Sequence, residues 1–191
     1  MRRRVDLGLS CYDRHNDGSG VCFSSSKRPI LNVRPGYIIW AFSRPREFSA
    51  DLMMIGFLEQ EGIPYEILTD HDLHARGAGT LQGFNTVLTG CHPEYPSLES
   101  FSAYNASAKG GGNLMYVGGN GFYWVSGHNV NRPHRLGVRR GDSGVRPYSL
   151  PRGEHIHSLD GQRGGLWRSR GMSCNTLFGV GFCTQGYFYS S

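Results

Sequence analysis

Between residues 48 and 126 the apolar positions recur at readable periods. In "FSADLMMIGFLEQEG", Leu52, Ile55 and Leu58 fall on one helical face. Ser49 is placed to cap that helix, Phe48 to staple onto Met53, and Gly62 to end it. "PYEILTD" predicts a short strand with Asp70 opening the next turn, and "FNTVLTG" predicts a second, buried strand. "PSLESFSAYNASAKGGG" predicts a helix with Pro96 in its first turn and Leu98, Phe101, Tyr104 and Ala108 on one side. "NLMYVGG" predicts a third strand. Helix, strand, strand, helix, strand with short links is the rhythm of an α/β fold, a doubly wound parallel sheet. Ligands of such sheets bind beyond the carboxyl ends of the strands. "TGCHPEY" and "GGNGFYW" are both expected there.

The flanks have a different texture. Residues 1–47 are Gly/Ser/Arg-rich with turn signals at "DGSG" and "VRPG", and are expected to contribute to the site. Residues 127–191 carry short apolar stretches between Gly, Pro and Arg and read as a β-rich C-terminal segment. The 28 glycines favour turns over long helices. No apolar run approaches the roughly 20 residues of a membrane helix, and the start lacks a signal-peptide core.

Charge and cysteines narrow the field. The net charge of +5 comes almost entirely from arginine, since Lys27 and Lys109 are the only lysines. These arginines are scattered through Gly-rich sequence without regularly interleaved aromatics, which reads as solvated local ion pairs and not a nucleic-acid groove. Five widely spaced cysteines without CxxC fit a reducing compartment, with cytoplasm as the default.

"VLTGCHPEYPS" concentrates the candidate chemistry. Cys91 as a nucleophile would need a strand-to-helix elbow with small residues two positions either side; Thr89 and Pro93 stand there, and proline resists that turn. His71 with His74, or His155 with His157, could each give two zinc ligands, but no cysteine pair completes a four-ligand set. Exposed or capping histidines are the simpler reading of both pairs. His92 and Glu94, separated by a rigid proline, can project from one side and suit a hard or borderline metal with an open position. A carboxylate favoured by a helix N-terminus explains Glu94 equally well from spacing alone.

The motifs in order resemble a known family. "TGCHPEYPSLESFSAY" followed by "GGGNLMYVGGNGFYWV" resembles the large (β) subunit family of N,N-dimethylformamidase, with its pattern T-G-S-H-P-E-Y-W-S and then G-G-x-L-M-Y-L-G-G-N-G-F-Y-W. "SCYDRHNDGSGV", "FSADLMMIGFLEQEGIPYEILTDHDLH", "GEHIHSLDGQRGGLWRSRG" and "LFGVGFCTQGY" extend the likeness over essentially the whole chain. The resemblance implies a class I glutamine amidotransferase-like (flavodoxin-like) core and hydrolysis of small N-substituted formamides at mononuclear ferric iron, Fe(III). It implies Tyr12 and Glu94 as metal ligands, and His92, Glu94 and Asn120 as catalytic groups. Phe122, Tyr123 and Trp124 would wall an apolar pocket, with core packing as the competing role for at least one of them. It further implies a small subunit and homo-oligomerisation.

Departures qualify this. Cys91 stands where the family has serine and Pro96 where it has tryptophan. The family subunit extends further at both ends, so the chain reads as an excised piece, and the family's other tyrosine ligand is expected upstream of the segment matching Tyr12. Two alternatives follow: a non-catalytic remnant of the same fold, and a cysteine-dependent amidotransferase-like enzyme using Cys91.

Overall fold

A computed structural model describes residues 5–39, 43–141, 144, 147–148, 150 and 154–181. In chain order the strands and α-helices are β1 (Phe23–Ser25), β2 (Ile38–Ile39), β3 (Arg44–Pro45), α1 (Phe48–Gln60), α2 (Asp70–Arg76), β4 (Thr86–Leu88), α3 (Leu98–Lys109), β5 (Asn113–Met115), β6 (Ser126–His128), β7 (Arg135–Val138) and α4 (Cys174–Phe178). Short 3₁₀ turns occupy Val5–Leu7, Gly77–Leu81 and Trp167–Arg170.

Three small sheets organise these elements. β4 and β5 pair in parallel, Val87 opposite Leu114, with α3 as the connection between them. β1, β7 and β6 form an antiparallel sheet in that order, and β2 with β3 forms a short antiparallel ribbon. The parallel pair matches the two strands expected from "FNTVLTG" and "NLMYVGG". "PYEILTD" does not form a strand: residues 63–69 lie outside any ladder, and Ile67 is exposed. Its last two residues are diverted instead: Thr69 caps α2 through a reciprocal capping box with Asp72, and Asp70 begins that helix.

Helix α1 begins differently from the expectation. Ser49 is not its cap; Glu47, at φ 55°, precedes the helix without a side-chain cap. Ser49 lies buried inside the first turn, and its hydroxyl donates to the Tyr37 carbonyl at 2.8 Å and accepts from Arg46 N at 3.2 Å. This pins the helix start to the loop before it. Leu52, Ile55 and Leu58 are half-buried along one face. An apolar groove of about 750 Å³ opens between α1 and the parallel pair, lined by Met53, Met54, Phe57, Leu58, Leu88 and Met115.

Helix α3 is capped by Ser97, whose hydroxyl accepts from Ser100 N at 3.1 Å. Its buried stripe is Ser100, Phe101, Ala103 and Tyr104, while Leu98 is left exposed. Phe101 and Tyr104 meet Phe122 edge-on, with centroids 5.5 and 5.2 Å apart, and Trp167 completes this aromatic core. A second core gathers Trp124, Val138 and Leu166 beneath the antiparallel sheet. Segment 122–125 feeds both cores, which fixes the backbone beside the "HPE" loop. No described helix is long and apolar enough to cross a membrane.

Candidate functional site

The chain leaving β4 cannot turn directly into α3, because residues 89–97 are bound along their length by residues 117–126. The Thr89 hydroxyl accepts from Val117 N, and Gly119 N donates to the Cys91 carbonyl at 3.1 Å. Phe122 N donates to Pro93 O at 2.8 Å, and Tyr123 N and Trp124 N both donate to Glu94 O. The Ser126 hydroxyl then donates to Tyr95 O, and the Trp167 indole to Pro96 O. This close approach requires glycine at 118, where a Cβ would sit 2.7 Å from the Cys91 carbonyl.

Held this way, the loop folds tightly about Pro93. Glu94 N donates to His92 O at 2.8 Å, a three-residue turn that brings the two flanking side chains together. His92 Nε2 lies 2.9 Å from Glu94 Oε2. Glu94 is 3% exposed, so its carboxylate is a buried acceptor that needs partners. A second one comes from far away in sequence. Tyr12 projects from a turn in which Asp13 N donates to Ser10 O, and its hydroxyl donates to Glu94 Oε2 at 3.1 Å. Tyr12 as a residue is 47% exposed, yet its hydroxyl points inward.

Two further groups complete the cluster. The Tyr95 hydroxyl donates to the Tyr12 hydroxyl at 2.5 Å, with the rings edge to face. The chain of donors thus runs from Tyr95 to Tyr12 to Glu94, and from His92 to Glu94. Arg140, 2% exposed, lies with its guanidinium 4.7 Å from the Tyr12 ring centre, and also donates to the Cys11 carbonyl. Burial, followed by the Glu94 charge, pushes both phenols well above the ordinary tyrosine range. The two arginines of "VRRGD" are therefore buried and not solvated; Arg139 pairs with Glu154 at 3.2 Å while its guanidinium lies over Phe23.

Arg46 Nη2 also approaches His92, lying 3.2 Å from both ring nitrogens. Arginine only donates and a carboxylate only accepts, which assigns the proton to Nε2, facing Glu94, and leaves Nδ1 as the acceptor. Arg46, His92 and Asn120 line a small pocket of about 180 Å³ with Pro45, Ala50 and Cys91. Asn120 holds a left-handed backbone at φ 50°, a conformation asparagine tolerates better than most residues.

The structure therefore joins Tyr12, His92 and Glu94 directly and sets Asn120 at the adjoining pocket. It does not place Phe122 or Trp124 there. Both are buried in the two hydrophobic cores, and Tyr123 packs edge-on to Trp124 and beneath Arg168. Their aromaticity serves packing because the backbone on either side of them is what straps the "HPE" loop. Tyr95, Arg46 and Arg140 were missed as site residues. Tyr95 had a signal, standing next to Glu94, whereas nothing local marks the two arginines.

The remaining candidates separate cleanly. Cys91 Sγ is directed at Glu47 O, 3.5 Å away, and burial beside Asp51 pushes its thiol up to about 11. Its neighbour His92 faces Glu94 instead of the thiol. His74 bonds Ser97 and Glu99 at the start of α3 and stacks on His128, while His157 is buried. Among the described residues no group of three or more His, Cys, Asp and Glu side chains is arranged to hold a metal. The Tyr12–Glu94 set lies outside that count because one donor is a phenol. Tyr12 Oη and the buried Glu94 Oε2, 3.1 Å apart, are hard oxygen donors of the kind a ferric ion would accept.

Such a constellation sets a phenol, a carboxylate and an imidazole together beyond the end of a parallel strand. The sequence places the chain more narrowly. The family model described as "N,N-dimethylformamidase beta subunit-like, C-terminal" matches residues 6–191, and the chain belongs to that family. It is 38% identical over 191 residues, all of the chain, to the N,N-dimethylformamidase beta subunit of Paracoccus aminophilus. It is also 38% identical over 183 residues, 96% of the chain, to the beta subunit of that name from Alcaligenes sp. The chain spans about a quarter of the length of either relative, 25% and 24%.

Proposed function

We propose that this chain forms the catalytic segment of an amide hydrolase of N,N-dimethylformamidase type, acting on small N-substituted formamides at a mononuclear ferric site. The observation that carries this reading is the convergence of Tyr12 Oη and His92 Nε2 on the buried Glu94 Oε2, in a chain of this family. We also read the β4–α3–β5 unit as the local part of a larger doubly wound sheet, and expect assembly with other subunits, since the relatives are named beta subunits.

Tyr12 and Glu94 would hold the metal, exchanging the hydroxyl proton that now lies between them for the ion. Iron, when bound, supplies Lewis acidity toward an amide carbonyl and toward water. His92 manages protons: its Nε2–H stays on Glu94, and once substrate draws Arg46 away, Nδ1 takes a proton from water and returns it to the departing amine. Asn120, which lines the pocket, would hold charge developing on the acyl oxygen. Tyr95 keeps the Tyr12 oxygen in place through their hydrogen bond.

The test is iron supplied to the purified protein, followed by metal analysis, visible absorption and release of dimethylamine from N,N-dimethylformamide. The expected result is bound iron with a phenolate charge-transfer band that weakens in Glu94→Ala, together with turnover. A folded protein, given iron, that neither binds it nor hydrolyses any small formamide refutes the reading. Activity that persists without metal and vanishes on thiol alkylation would favour Cys91 instead.

A further inference from the structure

Arg140 takes no part in the proton and metal chemistry of the site, yet its setting is unusual for an arginine. It is buried, and burying a guanidinium is costly unless its donors are paired. Its Nη2 donates to the Cys11 carbonyl, whereas Nε and Nη1 are buried without a hydrogen-bond partner. Among the described residues no carboxylate bonds it, while its neighbour Arg139 reaches Glu154 at 3.2 Å. What faces the charge instead is aromatic: the guanidinium lies 4.7 Å from the Tyr12 ring centre and 5.1 Å from that of Tyr148. The quadrupole of a ring face attracts a cation, and more strongly where water is excluded. The packing around this stack leaves it little freedom. The Tyr148 hydroxyl donates to Val138 O at 3.1 Å, and Tyr148 N donates to Arg140 O at 3.0 Å. The Tyr148 ring covers Gly20, where a Cβ would lie 2.4 Å from the ring carbons. Gly20 belongs to the hairpin that carries Tyr12: it is bridged to Arg14, and Val21 N donates to Asp13 O at 3.2 Å.

We propose that Arg140 is a positioning residue for Tyr12: it clamps the ring so that the hydroxyl meets Glu94, and its charge weakens electron donation from the Tyr12 oxygen. The inference deepens the hydrolase reading and rests on it for the use made of Tyr12, though not for the clamp itself. The clamp follows from where Arg140 grips the hairpin. It holds two consecutive residues, Cys11 by the carbonyl and Tyr12 by the ring, and Tyr148 closes on it from behind. Displacing the guanidinium would free the Tyr12 ring and draw its hydroxyl away from Glu94 Oε2, 3.1 Å distant. The charge effect follows from the missing carboxylate. A guanidinium neutralised by an acid would leave the ring almost unpolarised, whereas this one keeps its full field on Tyr12. A cation beside a phenol or phenolate lowers the energy of its donor electrons. Weaker donation would leave a ligated ferric ion a stronger Lewis acid toward an amide carbonyl.

The experiment compares the unaltered protein with Arg140→Met, which keeps the stem but not the charge, and Arg140→Lys, which keeps the charge. Circular dichroism checks the fold of each. The first readout needs no metal: NMR of protein carrying ¹³Cζ-labelled tyrosine, with the Tyr12 signal assigned through Tyr12→Phe. Arg140→Met should shift that signal clearly, and Arg140→Lys should shift it less. The second is the phenolate charge-transfer band after loading with iron. It should move to longer wavelength in Arg140→Met, because the donor electrons rise in energy, and stay closer to its original place in Arg140→Lys. A merely structural arginine would lower the unfolding temperature and leave the band of the folded variant where it was. If Arg140→Met does not fold, Tyr148→Leu removes the ring behind the guanidinium and should still shift the Tyr12 signal. A Tyr12 signal unmoved in a folded variant overturns the proposal, as does a band unmoved in Arg140→Met. A shifted Tyr12 signal in a protein that takes up no iron and hydrolyses no formamide refutes the hydrolase reading and leaves the Arg140 assignment standing. Iron binding and turnover with an unmoved Tyr12 signal would do the opposite.

Discussion

Lowering the pH from 7 to 5 should destabilise this protein, and His157 sets a calculable part of the loss. Its ring is 1% exposed and lies against Gly127 and Gly137, a cross-strand pair of β6 and β7, where any Cβ would crowd it. Neither ring nitrogen has a hydrogen-bond partner. Burial therefore pushes the imidazole down to about 4; Asp160 and the Val125 backbone oppose this, while Arg139 and Arg170 add to it. The folded value lies below the ordinary 6.5, so the unfolded chain binds the proton first. Stability is then complete above about pH 6.5 and is lost as the pH falls toward 4. Integrating between pH 7 and 5 gives a loss of about 2 kcal/mol, or roughly 4–7 °C in Tm for a chain of this size. His128, also pushed down to about 4 by burial and then by His74 and His71, adds a smaller amount because it is partly exposed. Thermal unfolding by circular dichroism across pH 5–7.5, for the unaltered protein and His157→Gln, measures this. The variant cannot titrate in that range and should show a flatter pH dependence, whatever its absolute stability. Equal slopes in the two proteins would refute the assignment.

Four other substitutions probe the site. Tyr95→Phe removes only the donor to Tyr12 and should weaken iron binding about 10–100-fold and shift the charge-transfer band, with the fold intact by circular dichroism; an unmoved band would show that Tyr95 only packs. Glu94→Gln keeps the shape but not the charge, so iron retention against a chelator should fall further than in Tyr95→Phe; equal retention would exclude Glu94 as a ligand. Cys91→Ser should leave iron binding and turnover within about twofold, and alkylation of Cys91 at neutral pH should run about 100-fold slower than for a free thiol, because its thiolate fraction is depressed by that factor. Gly118→Ala should cost about 1–3 kcal/mol in chemical denaturation and loosen the site, since its methyl would meet the Cys91 backbone.

Much of the local structure was legible in the sequence, and the failures share a cause. Helices α1 and α3 and strands β4 and β5 fall where periodicity places them, because each period is contained within a dozen residues, although Ser49 does not cap α1 and Pro96 precedes the Ser97 cap of α3 instead of standing in its first turn. "PYEILTD" has the composition of a strand, but a strand exists only with a neighbour to pair with, and no window of sequence contains that information. Ser49 shows the same limit at smaller scale, with its hydroxyl drawn to Tyr37 O, twelve residues away, instead of capping its own helix. At the site, His92 and Glu94 were readable from "HPE", since proline makes the turn that joins them. Their link to Tyr12 came from resemblance, because 82 residues separate the partners. Arg140 read as one more solvated arginine, and its burial depends on Tyr12 and Tyr148 closing over it from opposite parts of the chain. Phe122 and Trp124 looked like pocket walls because aromatic side chains at a strand end suit both a pocket and a core, and only the surrounding elements decide which.

The backbone near the site suggests why those aromatics had to be core. Glu47, Asn120 and Phe122 all hold positive φ, between 50° and 55°, and all three lie against the "CHPE" loop. Glu47 O receives the Cys91 thiol, Asn120 lines the pocket, and Phe122 N donates to Pro93 O. For residues other than glycine such conformations cost on the order of 1–3 kcal/mol each, less for asparagine. They persist only where the surroundings enforce them. Phe122 supplies that enforcement by burying its ring among Phe101, Tyr104 and Phe178, since burial of a phenylalanine contributes about 1.5–3 kcal/mol, enough to offset its own strain. Trp124, fully buried two residues later, anchors the same strap from the second core. The aromatic residues of "NGFYW" thus act on the site through the main chain: their side chains pay for a backbone that holds Pro93 and Glu94 in the turn where His92 and Tyr12 can meet.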